Sequence, residues 1–423
     1  SPNVVTYICI LKACSSLGTL ELGKDIHVEI RKQGLMKRGG DIALGNTLVD
    51  MYVKCGSLDN AREVFEDLYG RDVVSWNVLL TGYVNQGLGI EVLKYFVRMQ
   101  DEGIAPDVVT YVCALKACGS LRSIEKGKEI HMKINGDELR HNTSLGNSLI
   151  GMYSQCGFIS EAQEVLKTLL VRDEASWSSL ISGYADGGHG EEALDCFEKM
   201  KMDNLSPNVV TFCCALKACS NVGLVNRGQD IHSEIVQRAL DRELSIGNAL
   251  VGLYAKCGWL NEAEKVFDNL PMYDVVSWNA LMVGYAEHGP GQEALNCFKQ
   301  MQLENHVPDV VTISSCLKAC GNIGTIGKGQ EIHMAIPPEL LAKNPSIGNS
   351  LISMYAKCGS IWKAREVFEK LPVQDGVAWS SMIKGYGMNH EGSIAIQYFH
   401  DMHTRGVQAD EVTFICLLNA CGH

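Results

Sequence analysis

Much that would point to a specialised protein class is scarce or missing. Ten prolines in 423 residues are too few for a Pro-rich or disordered chain. No apolar run reaches the roughly 18 residues that a membrane helix needs. The opening residues, Ser-Pro-Asn-Val-Val-Thr-Tyr, resemble neither a signal peptide nor an Arg-rich transit peptide. The same phrase recurs inside the chain, so a natural start is not expected there. No C-x-x-C pair, Walker loop or nucleophile elbow occurs, which removes the common phosphate-binding and hydrolase chemistries. Excess positive charge is also absent. A formal charge of −12 argues, taken alone, against a nucleic-acid partner. In an elongated molecule, however, acid on one face is compatible with lysines lining a groove on another.

What is present is a globular composition, 46% hydrophobic and 20% charged, in a chain too long for one ordinary core. Self-similarity explains the length. Trp76, Trp177, Trp278 and Trp379 are spaced by 101 residues. Nine of the 17 cysteines fall in two registers: Cys14, Cys118, Cys219 and Cys320 in "KAC" with Cys421 in the variant "NAC", and Cys55, Cys156, Cys257 and Cys358 in "CG". One cysteine at the same place in every repeat reads as a small residue where helices approach closely, in a reducing compartment, and not as a disulfide framework.

Three segment types alternate within each 101-residue period, with lengths of 35, 31 and 35 residues. The first type, "VVTYVCALKACGSLRSIEKGKEIH" at 108, covers 4–41, 108–142, 209–243, 310–344 and the partial segment 411–423. The second, "LGNTLVDMYVKCGSLDNAREVFEDL" from Leu44, covers 42–72, 143–173, 244–274 and 345–375. The Trp type covers 73–107, 174–208, 275–309 and 376–410. Only the first segment departs in length, with about three extra residues near "KQGLMKRGG". Trp76, Leu79, Leu80 and Tyr83 follow helical spacing, "NQG" interrupts, and Val92, Leu93, Phe96 and Met99 stripe a second helix before "DEGIAPD". A helix pair this short cannot bury its own apolar face. Neighbours must therefore stack, and the expected fold is an all-α solenoid of helix-turn-helix units.

One residue type does not fit a simple packing account. Asn77 lies a full turn inside its helix, where propensity disfavours it, and Ser178, Asn279 and Ser380 repeat the pattern. Read alone, such residues and the Asp at each segment end are helix caps. The 35-31-35 alternation with "MYxKCG", "LKAC" and "VVSWNxLxxGY" resembles the plant pentatricopeptide repeat family. The similarity is to its subclass with P, L and S repeats in rotation, and it extends over essentially the whole chain. The Trp type corresponds to P, the 108 type to L and the Asn46 type to S.

The resemblance implies a right-handed superhelical α-solenoid in which each repeat reads one unpaired RNA base through its fifth and last residues. On that basis Asn77/Asp107 and Asn279/Asp309 read uracil, Ser178/Asn208 adenine and Ser380/Asp410 guanine. The S-type pairs Asn46/Asp72, Asn147/Asp173, Asn248/Asp274 and Asn349/Asp375 read uracil, with tolerance of cytosine. The chemistry agrees: an amide that donates and accepts can meet uracil, and a nearby carboxylate can orient it. The L-type pairs Ile8/Asp41, Val112/Asn142 and Cys213/Glu243 are poor readers, and only Ser314/Asn344 is polar enough. The implied target is 5′-UUNUANUUNUG-3′, beginning at Asn46. Second residues Val74, Val276 and Val377 would press on base faces, with thinner contact from Ala175, Ala43, Ser144, Ser245 and Ser346. Lys54, Lys256 and Lys357 match a phosphate contact that Gln155 interrupts. Lys12, Lys116, Lys217 and Lys318 recur without an assigned role.

Many members of this subclass end in a zinc cytidine deaminase, whose signature pairs H-x-E with P-C-x-x-C. "HVE" at His27 and "HSE" at His232 match by letter only, since "IHMKI" and "IHMAI" occupy the same register without the acid. These histidines read as packing residues, and no enzymatic activity, cofactor or metal is expected. The last residues, "DEVTFICLLNACGH", stop inside an L repeat, so an E- or DYW-type extension is expected to lie outside this sequence. The resemblance implies the target-recognition part of a C-to-U RNA editing factor of a mitochondrion or chloroplast. Its partners would be single-stranded RNA and accessory editing factors on the L repeats, with no membrane contact. Organellar RNA processing or stabilisation, and a protein-binding scaffold like tetratricopeptide arrays, remain alternatives.

Overall fold

The computed structural model describes residues 2–36 and 41–421, with the side chain of Cys421 outside that description. The additional residues expected near "KQGLMKRGG" involve 37–40 and also lie outside it. Every regular element among the described residues is an α-helix. Helices begin at Val4, Ile42, Val73, Val108, Thr143, Glu174, Val209, Leu244, Val275, Val310, Pro345, Gly376 and Glu411, the first positions of the repeated phrases. The chain divides into two compact units, Ser1–Cys214 and Ala215–His423. In each, the first helix of a segment packs on the first helix of the next, and the second helices pack on that row. Each unit is thus a stack of helix pairs, as an α-solenoid requires, and in the first unit one apolar cluster runs from Tyr7 to Ala117.

Two L-type segments exceed a helix pair. Short third helices, Gly136–His141 and Pro338–Lys343, follow Ile134 and Ile336. The physical cause is local: Asn135 caps the first through the Asp137 N–H, and Pro337-Pro338 ends one helix and starts another.

The repeated residues are the ones that set the packing. Trp76 and Trp379 are fully enclosed, with edge-on contacts to Phe65 and Phe368 of the preceding segment at centroid separations of 4.9 and 4.8 Å. Cys14, Cys118, Cys219 and Cys320 are buried, and the thiols of Cys55, Cys156 and Cys358 approach the carbonyls of Cys14, Cys118 and Cys320 at 3.9, 3.9 and 3.7 Å. The described cysteines are free thiols, and burial pushes Cys118 and Cys219 up to about 11. The glycine of "CG" adopts a left-handed conformation (φ +79° at Gly258) that lets the chain reverse between helices.

The L-type histidines are packing residues. His27, His131, His232 and His333 hydrogen-bond through Nδ1 to the hydroxyls of Tyr52, Tyr153, Tyr254 and Tyr355 at 2.8–2.9 Å. Burial lowers all four imidazoles; for His27, burial and then Arg31 bring the value down to about 4. Among the described residues no group of three or more His, Cys, Asp or Glu could hold a metal ion, and no helix is long and apolar enough to cross a membrane.

Two stability predictions follow from this packing. An imidazole that is harder to protonate when folded makes the unfolded chain bind more protons, so stability falls as pH drops through the unfolded value of 6.5 towards about 4. Thermal unfolding scans at pH 7.5, 6 and 5 should show a falling Tm, with a shallower fall in His27→Gln; a Tm that is flat or rises on acidification contradicts this. The second concerns close helix approach. A Cβ on Gly284 would lie 2.5 Å from Ala255 Cβ, 3.0 Å from its Cα and 3.1 Å from its carbonyl oxygen. Backbone atoms cannot rotate away. Overpacking of about 1–3 kcal/mol therefore outweighs the better helix propensity of alanine, and Gly284→Ala should lower the unfolding midpoint.

Candidate functional site

The sequence-predicted pairs are brought together at the junctions between segments. The fifth residue, one turn into the first helix of its segment, points towards the residue that caps the first helix of the next segment. Asn77 Nδ2 donates to both carboxylate oxygens of Asp107 at 2.9 Å, and Asn279 does the same to Asp309 at 2.9 and 3.0 Å. The S-type amides donate to their partners at 3.1 Å (Asn46 to Asp72, Asn147 to Asp173, Asn248 to Asp274) and 3.2 Å (Asn349 to Asp375).

The same aspartates are N-caps. Asp72, Asp107, Asp173, Asp274 and Asp309 each accept from the backbone N–H three residues on, and the Ser or Thr there returns a hydrogen bond, forming a capping box. Burial pushes the carboxyls of Asp72, Asp107, Asp173 and Asp274 up. The bonds from that backbone N–H, the hydroxyl and the asparagine outweigh it, so all four sit below the usual carboxylate range and stay ionised at neutral pH. Capping and pairing are therefore one arrangement.

The serine pairs are built differently. Ser178 Oγ donates to the Glu174 carbonyl (2.6 Å) and meets Thr211 Oγ1 at 2.9 Å, and Thr211 in turn bonds to Asn208 Oδ1. Ser380 repeats this with Gly376 (2.7 Å), Thr413 (2.7 Å) and Asp410. Each serine thus reaches its partner through a threonine. The L-type positions are not paired in this manner where the contacts are defined. Asp41 and Asn142 cap their own helices, while Asn344 turns back to the Leu340 carbonyl and leaves Ser314 Oγ buried without a partner.

Around the pairs are open grooves. One of about 740 Å³ is lined by Val311, Ser314, Asn349, Asp375, Val377, Lys318 and Lys357. Another, of about 390 Å³, is lined by Ala175, Ser178, Asn208 and Val210. Val74, Val276 and Val377 are half or more exposed at their second positions, which is unusual for valine in a packed helix. Val109, Val210 and Val311 of the L-type segments are exposed as well, at 46–58%, and the sequence analysis left them out although the doubled valine of "VVT" marks the same register. The lysines are partnered in the unbound chain: Lys54 with Asp50 (2.8 Å), Lys256 with Asn221 (2.8 Å) and Lys357 with Asn322 (2.7 Å). Burial, then Lys384 and Lys318, lower the Lys357 ammonium, which marks a local concentration of positive charge in a net acidic chain.

Comparisons with known proteins agree with this geometry. A model described as "PPR repeat family" matches residues 71–120, 172–221, 273–322 and 374–423, and one described as "PPR repeat" matches 46–73, 147–173, 248–274 and 349–374. A chloroplastic pentatricopeptide repeat-containing protein of Arabidopsis thaliana is 33% identical over 99% of this chain and 67% of its own length. The Arabidopsis protein DOT4, also named as chloroplastic, is 36% identical over 99% of this chain and 48% of its own length. The chain belongs to the pentatricopeptide repeat family, and it spans about half to two thirds of these curated relatives. Among solved structures, maize PPR10 superposes with a TM-score of 0.63 at 19% identity, covering 99% of this chain and 61% of that one. PPR10 in complex with an 18-nt psaJ RNA element gives 0.50 at 17% identity, covering 99% and 77%.

The dual role of the aspartates can be tested. Asp274→Ala removes both the cap of helix Val275–His288 and the anchor of Asn248. It should cost about 1–2 kcal/mol in chemical unfolding, while Asp268→Ala, at an exposed position, should cost almost nothing. Equal effects of the two would contradict the dual role.

Proposed function

We propose that the chain binds single-stranded RNA sequence-specifically, one base per P- or S-type segment, through the eight pairs from Asn46/Asp72 to Ser380/Asp410. The observation that carries this reading is the asparagine–carboxylate bond recurring at six junctions, with an open groove beside Asn349/Asp375. The carboxylate orients the amide, so its remaining hydrogen and oxygen lone pair can meet a base edge. Exposed second-position valines supply apolar faces for stacking, and Lys357 with Lys318 and Lys384 supplies charge for phosphates. The RNA partner of PPR10 in its solved complex is consistent with this reading.

The expected target is 5′-UUNUANUUNUG-3′, with each U a pyrimidine preference. The wider role proposed is target recognition for C-to-U editing in an organelle; several relatives are named as chloroplastic. The L-type segments, with apolar Ile8 and Val112 at the fifth position, would be left for accessory editing factors. The chain itself would act by binding and not by catalysis.

Fluorescence anisotropy with 5′-UUAUAAUUAUG-3′ and a scrambled partner, at two salt concentrations, tests the proposal. The first oligonucleotide should bind more tightly, and Ser380→Asn should shift the preference at the eleventh nucleotide from G towards U. Absence of binding at low salt, or identical affinity for both sequences, would favour a protein-binding scaffold instead.

A further inference from the structure

Four of the six paired asparagines are held at their oxygen as well as at their nitrogen. The third residue of the following segment supplies the second hold: Thr110 Oγ1 lies 2.7 Å from Asn77 Oδ1, Ser176 Oγ 2.5 Å from Asn147 Oδ1, Ser277 Oγ 2.7 Å from Asn248 Oδ1 and Thr312 Oγ1 2.6 Å from Asn279 Oδ1. In each case that hydroxyl also accepts the N–H of the capping Asp or Asn-paired residue, at 3.1–3.3 Å. An amide fixed at one end can still pivot about that bond. Fixed at both ends, its plane is set before any ligand arrives, and less ordering remains to be done on binding. At Asn46, Ser75 bonds to Asp72 (2.9 Å) but not to the asparagine, and Asn46 Oδ1 is buried without a hydrogen-bond partner.

One junction lacks the group altogether. The third residue after the Asn349/Asp375 pair is Ala378, where its counterparts are Ser75, Ser176 and Ser277. Asn349 Nδ2 still donates to Asp375, but Asn349 Oδ1 is buried with no hydrogen-bond partner. Ala378 also leaves Asp375 as a cap without the reciprocal half of the box.

We infer that the third-position hydroxyl of the following segment is a positioning residue for base selection, and that Ala378 leaves Asn349 less selective than Asn77, Asn147, Asn248 and Asn279, whose oxygens are held. The inference rests on the RNA reading above and adds a third residue to each pair. It acts through the asparagine: the hydroxyl's one hydrogen goes to the nearer acceptor, Asn Oδ1 at 2.5–2.7 Å against 2.8–3.0 Å for the Asp carboxylate, the carboxylate accepts from Nδ2, and the amide presents a single orientation to the base. Without the hydroxyl the amide is free to turn towards either pyrimidine.

The test uses the whole chain and 5′-UUAUAAUUAUG-3′, with U replaced by C at the seventh nucleotide (opposite Asn248) or the tenth (opposite Asn349). The ratio of the two dissociation constants at each position is the readout, since general destabilisation would not move it at one nucleotide only. Ala378→Ser should raise the U-over-C ratio at the tenth nucleotide by roughly two- to tenfold, the range that one hydrogen bond is worth. Ser277→Ala should lower the ratio at the seventh by a similar factor, and Ser277→Thr should keep it. Thermal unfolding of each variant checks that the stack remains folded. If Ala378→Ser leaves the tenth-nucleotide ratio unchanged or lowers it while the unmodified chain still prefers its target over the scramble, the positioning role is overturned and the RNA reading survives. If the unmodified chain shows no such preference, the RNA reading fails and this inference falls with it.

Discussion

At five junctions between segments, those of Asp72, Asp107, Asp173, Asp274 and Asp309, one aspartate carboxylate satisfies three demands at once. It accepts the N–H three residues on, which starts the next helix; it meets the Ser or Thr hydroxyl that completes the cap; and it takes a hydrogen from the asparagine of the segment before. Asp107 does all three, for Thr110 N–H, Thr110 Oγ1 and Asn77. Helix start, inter-segment register and amide orientation are therefore set by the same few atoms. A carboxylate so placed also stays ionised at neutral pH, because the bonds it accepts more than offset its burial.

The rest of the stack serves that junction. Trp76, Trp278 and Trp379 pack edge-on against Phe65, Phe267 and Phe368 of the second helix of the segment before, while the small polar neighbour at the fifth position meets the next segment. Glycines such as Gly284 let consecutive first helices approach closely, and the His–Tyr bonds tie L-type second helices to S-type first helices. The result is a repeated frame whose polar groups recur at a fixed spacing, which is the physical requirement for reading a polymer one unit at a time.

Much of this was legible in the sequence because its signals are periodic. The four tryptophans, the "KAC" and "CG" cysteines and the first residue of each helix all follow from the 101-residue period. The asparagine–aspartate pairs could be named because Asn77 contradicts local helix propensity. Other features lay below that level. Ser176 and Thr110 carry nothing in their identity that announces that the hydroxyl of a helix cap also meets the asparagine of the segment before, 29 and 33 residues away. The short helices at Gly136–His141 and Pro338–Lys343 were missed because their sequences differ from each other and from the consensus phrase. The exposed L-type valines were missed because attention to poor fifth residues such as Val112 obscured a second position that matches the other segments.

The central claim is that fifth-residue side chains meet consecutive RNA bases. The most direct measurement is an experimental structure of the chain bound to 5′-UUAUAAUUAUG-3′. The account predicts extended RNA along the row of first helices. Uracil edges should lie within hydrogen-bond distance of Asn46, Asn77, Asn147, Asn248, Asn279 and Asn349, in the order of the sequence, with valines against the base faces. RNA bound along the second helices, or in a register that ignores these asparagines, would contradict it.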